Sequence, residues 1–338
     1  MRVTTIHAPG DIRLEERPDP TIERPTDAIV RTVAACVCGS DLWPYRGAND
    51  VEAGNPIGHE LVGVVEAVGS DVTSFRPGQF VVVPFCHSDN TCAHCAVGMT
   101  SACVNGGFTN GGQAELVRVT QAEGSMVATD GMPDDDLIPS LLTLSDVMAT
   151  GWHAAVAAGV EEGDTVVVVG DGAVGLCGVL AASVMGAGQV IAMSRHEPRQ
   201  RIAEQFGATN LIAARGEEGE QEVLDLTDGV GADAVLECVG TGQAMATAFN
   251  VARPGSTVGF VGVPHGVELP IRRMFSKNIG LAGGMAPVRT YLPELMQLVT
   301  DGTINPGIVF DAVMPLEDVA EAYRAMDERE AIKVLLEP

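Results

Sequence analysis

Lysine is almost missing from this 338-residue chain. Lys277 and Lys333 are the only two, so arginine supplies nearly all of the 20 basic residues, which face 45 acidic ones for a net charge of −25. A surface of that sign repels nucleic-acid phosphates and anionic membrane faces, and excludes both as general partners. It also means that any anionic cofactor needs a local positive pocket. No apolar run approaches the roughly 18 residues of a membrane helix. The first residues, Met1 to His7, lack a signal-peptide core, so a cytoplasmic location is expected. Internal repeats and low-complexity segments are likewise missing. What is present is a 46% hydrophobic composition, that of a globular chain long enough for two domains with cores of their own.

The chain is organised around Val166-Val167-Val168-Val169-Gly170-Asp171-Gly172-Ala173-Val174-Gly175. Four β-branched residues in a row read as a strand buried on both faces, as inside a parallel sheet. Gly-x-Gly-x-x-Gly follows at once and leads into an apolar run with helical spacing. Gly170 allows a sharp turn, Gly172 allows backbone amides to approach a pyrophosphate, and Gly175 allows the helix to pack closely on the strand. Strand, glycines and helix stand in the order a dinucleotide site requires. Gly170, Gly172, Ala173, Val174 and Gly175 are therefore expected to bind a cofactor.

Residues 1 to about 145 are rich in strands and turns. Ala28–Ala35, Leu61–Val68 and Gln79–Val83 are β-branched runs bounded by Gly, Pro and Asp, and this part reads as a folded-over β-barrel. From about 147 to 284 strands and helices alternate. Val190–Met193, Asn210–Ala213, Ala232–Cys238, Thr257–Gly262 and Ile279–Ala282 are expected strands. Ala173–Met185, Pro198–Phe206, Glu220–Leu226 and Gly242–Ala252 are expected helices. That pattern is a doubly wound parallel sheet. The remainder, 285 to 338, carries helices at Tyr291–Thr300 and Leu316–Asp327 and a final strand at Lys333–Leu336.

Three places in the first part carry chemistry: Cys36-Val37-Cys38-Gly39-Ser40-Asp41, Gly58-His59-Glu60, and Leu144-Ser145-Asp146. Cys, His and carboxylate are the side chains a catalytic zinc takes, three from the protein with a fourth position open. Singly, each has an ordinary structural role: Cys38 as a buried thiol, His59 as a hydrogen-bonded core histidine, Asp146 as a helix N-cap. Cys36 is expected to face away and is left out of the set. A second cluster, Cys92, Cys95 and Cys103, points to a metal more than to disulfides. Cys177 and Cys238 lie in apolar segments and read as core thiols.

Together with the glycine fingerprint, these motifs resemble the zinc-dependent medium-chain alcohol dehydrogenases, in the branch acting on secondary alcohols. The resemblance covers the whole chain and implies a GroES-like β-barrel catalytic domain at 1–146, a Rossmann domain at 147–284, and a return of 285–338 to the first domain, with the active site between the two parts. It implies Cys38, His59 and Asp146 as ligands of a catalytic zinc, with Glu60 as an exchangeable fourth. It implies a structural-zinc lobe at about 86–104, where Cys92, Cys95 and Cys103 fill three ligand places and Asp89 stands where the family has its first cysteine. Asp89 can close the tetrahedron; a lobe without metal is the alternative. The implied reaction passes hydride between an alcohol and a nicotinamide, with zinc as Lewis acid. Ser40 would start the proton relay. The family's next relay histidine is Trp43 here, so the proton must leave through the ribose and water or through Asp41. Trp43 and Trp152 are expected in the substrate pocket or the core. Val239 is expected to bind the cofactor, Val261 and Val263 to meet the nicotinamide carboxamide through their backbones, and Lys333 to lie near the cofactor phosphates. A homo-oligomer, dimer or tetramer, is implied as well.

The nicotinamide is read at the tip of the second strand of the fold, where an NAD enzyme places a carboxylate for the ribose hydroxyls. Here Val190–Met193 runs into Ser194-Arg195-His196. A hydroxyl and a guanidinium suit a 2′-phosphate, and Arg199 adds charge one turn on, so NADP is expected. The alternative has Arg195 stacking on adenine in an NAD enzyme. Other dehydrogenases of the family, acting on polyols, threonine or aldehydes, and a non-catalytic NADP-binding redox sensor are the competing functions.

Overall fold

The β-branched run at Ala28–Cys36 forms the strand on which the first unit is built. It pairs antiparallel with Leu61–Val68, with Leu116–Val119 and with the C-terminal strand Val334–Glu337. Register irregularities between Ile29 and Val30 and between Thr32 and Ala34 bend it, as bulges do, so one strand serves three partners. The sheet runs Val127–Ala128, Phe80–Val83, Leu61–Val68, Ala28–Cys36, Val334–Glu337, Ala312–Pro315, with Leu116–Val119 added on the bent strand. Its core gathers Val30, Leu61, Val81, Val117, Leu316 and Tyr323, all buried. The computed structural model describes residues 1–338 and divides into two units, Met1–Ala149 with Pro287–Pro338, and Thr150–Ala286.

The register sets what lies near what. Ala35 pairs with Leu61, Leu61 with Val83, and Cys36 with Leu335. The end of one strand therefore meets the start of another, and the residues just outside both, Val37 to Asp41 and His59-Glu60, are neighbours. Lys333 enters beside them one residue ahead of the C-terminal strand. Phe85 N–H donates to Ser145 O at 3.0 Å, which draws Asp146 to the same corner.

The second unit is a six-stranded sheet, all parallel. Its strands are β1 (Thr165–Val169), β2 (Gln189–Met193), β3 (Asn210–Ile212), β4 (Ala232–Glu237), β5 (Ala252–Phe260) and β6 (Gly280–Gly283), in the order β3-β2-β1-β4-β5-β6. The reversal of strand order beside β1 is the switch point at which such sheets bind ligands. Helices α1 (Ala173–Val184), α2 (Glu197–Gln205), α3 (Glu217–Leu226), α4 (Gly242–Val251) and α5 (Ile271–Lys277) connect the strands. Val166, Val167 and Val168 are fully buried, as a central parallel strand requires. Helix α3 starts three residues before the expected Glu220, because Glu217 and Glu218 suit the positive end of a helix.

The first unit also carries helix where strands and turns are expected. Ile138–Thr143 is a helix with proline in its first turn, where the missing amide costs nothing. Arg2–Ala8 and Asp11–Glu16 form an antiparallel hairpin at the N-terminus.

Candidate active site

Cys38 Sγ, His59 Nε2, Glu60 and Asp146 offer ligand atoms that all lie within 4.8 Å of one another. Cys38 Sγ is 3.6 Å and His59 Nε2 3.3 Å from Asp146 Oδ2. Cys38 is 6% exposed and Glu60 fully buried, while the side chains of His59 and Asp146 keep 16% and 12% of their surface. The cluster is thus closed behind and open on one side, as a site with a free coordination position must be.

Its electrostatics call for a cation. Burial first, then the carboxylates of Glu60 and Asp146, push the Cys38 thiol up to about 11. Burial pulls His59 down, but Asp41 and Asp146 outweigh it and leave the imidazole well above its ordinary value. One thiol, one imidazole and two carboxylates crowded together repel one another unless protons or a metal ion hold them. That donor set fits zinc.

The second layer explains the aim of the ligands. His59 Nδ1 lies 3.3 Å from Asp41 Oδ1, and Asp41 Oδ2 accepts from Cys38 N–H at 3.0 Å and from Gln113 Nε2 at 3.3 Å. Gln113 also takes the Tyr323 hydroxyl through Oε1 at 3.1 Å. Asp41 therefore stands behind the ligands and turns His59 toward the metal position, the usual carboxylate–histidine arrangement. The Asp41 side chain is buried, 5% exposed, and its carboxylate is engaged by His59, the Cys38 amide and Gln113. Gln113 carries no motif and was invisible in the sequence. Ser40 is half-buried in the turn Gly39–Asp41, and Trp43 is half-buried in the short helix Leu42–Tyr45. Trp152 is 6% exposed, in the part of the helix Val147–Ala158 that belongs to the second unit.

Lys333 and Cys36 are placed differently from expectation. The Lys333 amine is 1% exposed and pairs with Glu60, 2.7 Å from Oε2, while donating to Val37 O at 3.2 Å. A buried amine so engaged is not available to cofactor phosphates. Cys36 Sγ donates to Glu60 Oε2. Residues two apart on an extended segment share a face, so Cys36 lies on the side of Cys38, behind Glu60.

In the loop at 89–103, Asp89, Cys92, Cys95 and Cys103 form a second set within 4.8 Å. Cys92 Sγ is 3.6 Å from Cys95 Sγ and 3.9 Å from Cys103 Sγ, and Cys95 Sγ is 3.5 Å from Asp89 Oδ1. All are free thiols. The amide of Thr91, the Asn105 side chain and the amide of Cys92 hold the Asp89 carboxyl well below its usual range. Backbone donors bring Cys92 down to about 7. An ionised carboxylate and a ready thiolate beside two more sulfurs suit a closed tetrahedral metal site. His94 is not part of it: its Nδ1 sits 2.6 Å from Ala102 O.

In the second unit, β1 is followed by Gly170, whose φ of +118° only glycine adopts comfortably. Gly172 caps α1, and a Cβ on Gly175 would meet Gly170 O at 2.1 Å. The turn thus presents amides and a helix N-terminus, a ready anion cradle. Ser194 follows β2 directly and is 2% exposed, Arg195 is exposed, and Arg199 lies in the first turn of α2. Glu237, at the end of β4, accepts from Val239 and Gly240 amides through Oε1 at 2.9 and 2.8 Å, and from Val261 N–H through its own carbonyl at 2.9 Å. The amides of Val239 and Val261 are therefore taken, and a cofactor contact at Val261 falls to its carbonyl. Val263 is half exposed.

Residues 24–134 match the alcohol dehydrogenase GroES-like domain, and residues 173–301 match the zinc-binding dehydrogenase domain. The zinc-type alcohol dehydrogenase B of Aspergillus flavus is 33% identical over 351 residues that cover 99% of this chain and 81% of the relative. The chain belongs to the zinc-type alcohol dehydrogenases. As a member, it is an oxidoreductase acting on alcohols with zinc and a nicotinamide cofactor, built from a GroES-like and a Rossmann domain. An NADP-dependent isopropanol dehydrogenase of Thermoanaerobacter brockii is 31% identical over 93% of this chain and 92% of its own. The alcohol dehydrogenase of Thermus sp. ATN1 superposes with a TM-score of 0.92 at 31% identity, over 100% of this chain and 99% of that one. No helix of this dehydrogenase is long and apolar enough to cross a membrane.

Proposed function

We propose that this dehydrogenase interconverts a small secondary alcohol and its ketone with NADP. The observation that carries the reading is the ligand corner of Cys38, His59 and Asp146, a set with a carboxylate in third place, together with a β2 tip that ends in Ser194-Arg195 without a carboxylate of its own. The similarity to an isopropanol dehydrogenase supports the substrate class.

In this reading Cys38, His59 and Asp146 hold the catalytic zinc, with Glu60 in reserve. Zinc supplies a Lewis acid that makes the alcohol oxygen acidic near neutral pH and polarises the ketone in the reverse direction. Asp41 keeps His59 aimed through Nδ1 and so fixes which nitrogen faces the metal. Ser40 Oγ takes the alcohol proton at the start of the relay. Trp43 stands where the family resemblance places a relay histidine and has no proton to pass on, so a bound nicotinamide cofactor would supply the next hydroxyl after Ser40 from its ribose. Trp43 is assigned to apolar packing around the substrate carbons. The glycine turn and α1 hold the pyrophosphate, and Arg195 with Arg199 meets the 2′-phosphate. Asp89, Cys92, Cys95 and Cys103 hold a structural zinc.

The same reading includes a homo-oligomer. Strand β6 has neighbours on one side only. The segment around it exposes Val263, Leu269, Ile271, Phe275 and Met285, Phe275 at 85%. Apolar exposure of this kind beside an open edge marks an association surface.

Steady-state kinetics over a panel of small primary and secondary alcohols and ketones, with both nicotinamides and zinc measured on the same sample, tests the proposal. A higher kcat/KM for secondary substrates and for NADP is expected. A higher kcat/KM with NAD refutes the cofactor assignment, and a preference for primary alcohols refutes the substrate class.

A further inference from the structure

The tip of β2 lacks a carboxylate in the sequence, yet the fold puts one there. It arrives from the glycine turn. Asp171, between Gly170 and Gly172, accepts the Ser194 hydroxyl through Oδ2 at 3.0 Å. Arg199 Nη1 donates to Asp171 O at 2.9 Å and lies 3.6 Å from Oδ1. The Asp171 and Arg199 side chains keep only 12% and 14% of their surface. Gln200 Nε2 donates to Ser194 O at 2.7 Å and pins the strand tip from the other side. Arg195 alone is exposed, with Nε 3.3 Å from His196 Nε2.

This grouping changes the chemistry of the adenosine-ribose end. A hydroxyl has one proton to give, and that of Ser194 goes to Asp171, so a phosphate arriving there finds an acceptor where it needs a donor. One of the two guanidiniums already faces the carboxylate. Phosphate oxygens beside Asp171 meet like charge at short range in a partly desolvated place, where screening is weak. A 2′-hydroxyl meets the opposite: a carboxylate oxygen able to accept its proton, the interaction by which such folds grip NAD. Two cations and one anion stand at one strand tip, each suited to a different cofactor.

We propose that Asp171 is the specificity-determining residue of this site: it restrains NADP and offers an acceptor to NAD, so that the enzyme takes both nicotinamides and NADP leads by a narrow margin. The inference rests on the reading above that Arg195 and Arg199 receive the 2′-phosphate, and it adds the residue that opposes them. Asp171 holds Arg199 at the adenosine-ribose end, so the effect of its loss is read in the cofactor parameters.

The test measures Kd and kcat/KM for NADP and NAD with the zinc-loaded wild type and with Asp171→Asn, which keeps size and a hydrogen-bonding oxygen for Ser194. The NADP-to-NAD ratio of kcat/KM is expected to rise about tenfold, the factor that about 1.4 kcal/mol represents, with NADP bound more tightly and NAD more weakly. Asp171→Ser, which also removes the charge, must move the ratio the same way and keeps the test open if the asparagine variant folds poorly. A ratio unchanged within about twofold, or shifted toward NAD, overturns the inference. Arg195→Gln separates the two claims. If it weakens NADP while Asp171→Asn leaves the ratio alone, the phosphate reading stands and the role of Asp171 falls. If it leaves NADP binding unchanged, the phosphate reading fails, and the ratio in Asp171→Asn still decides the role of Asp171.

Discussion

A single histidine and the carboxylate behind it show how the site is tuned residue by residue. His59 was legible because Gly58-His59-Glu60 and Cys38-Gly39-Ser40-Asp41 are contiguous motifs. The contacts that aim it were not, because they join distant segments: Gln113 reaches Asp41 across 72 positions and Lys333 reaches Glu60 across 273. No spacing rule encodes such pairs. Lys333 illustrates the cost, since the family resemblance sets it near the cofactor phosphates, whereas the register of the C-terminal strand sets its amine against a buried carboxylate. The role assigned to Asp41 is open to measurement. Asp41→Asn leaves the shape but weakens the hold on His59 Nδ1 and on the Cys38 amide. Loss of such a partner costs about 10- to 100-fold in metal affinity or activity. Competition with a chromophoric chelator should show that loss at the catalytic zinc, with the second zinc unmoved; unchanged affinity would remove Asp41 from the positioning role.

At the scale of elements, the glycine turn was readable and the metal lobe partly so, for opposite reasons. A strand, a turn and a helix that follow one another leave their whole pattern in ten residues. Gly175 is the tightest point of that pattern, with a built Cβ at 2.1 Å from Gly170 O. Gly175→Ala must push α1 off β1, a strain of about 1–3 kcal/mol. The expected result is a lower thermal midpoint together with weakened binding of both nicotinamides, seen by quenching of intrinsic fluorescence. Normal dinucleotide binding in this variant would show that α1 does not need its close seat. The loop at 89–103 has three cysteines at telling intervals, but its fourth partner is an aspartate, which spacing alone does not distinguish from a surface acid. Only the folded loop sets Asp89 Oδ1 at 3.5 Å from Cys95 Sγ. Asp89→Ala should lower the zinc content by about one per chain and the thermal midpoint with it, whereas Asp89→Cys should keep both. Full zinc in the alanine variant would place the fourth ligand elsewhere.

The whole molecule carries −25, and like charge keeps copies of such a chain apart unless they meet where the acid is thin. Such a place exists. Helix α5 reads Ile-Arg-Arg-Met-Phe-Ser-Lys, with no acidic residue, three of the 20 basic ones and two well-exposed apolar side chains, Ile271 at 62% and Phe275 at 85%. The neighbouring edge strand β6, Gly280-Leu281-Ala282-Gly283, carries none of the lysines or prolines that keep edges from pairing. Neither feature stood out in the sequence. A seven-residue helix has too few turns to display a face, and an edge strand differs from an inner one only in what lies beside it. The discontinuous first unit was equally hidden from local pattern, because its closing strand, Val334–Glu337, pairs with Ala28–Cys36 from the far end of the chain; resemblance to a family supplied it. For association through α5 and β6, light scattering on the 35.1-kDa chain should give a multiple of that mass. Phe275→Glu, which sets a charge in the apolar patch, should lower the mass by at least one step at equal concentration. A wild type that runs as a single chain at micromolar concentration would exclude the oligomer. A multimer indifferent to Phe275→Glu, and also to an added charge at Ile271, would move the contact to another face.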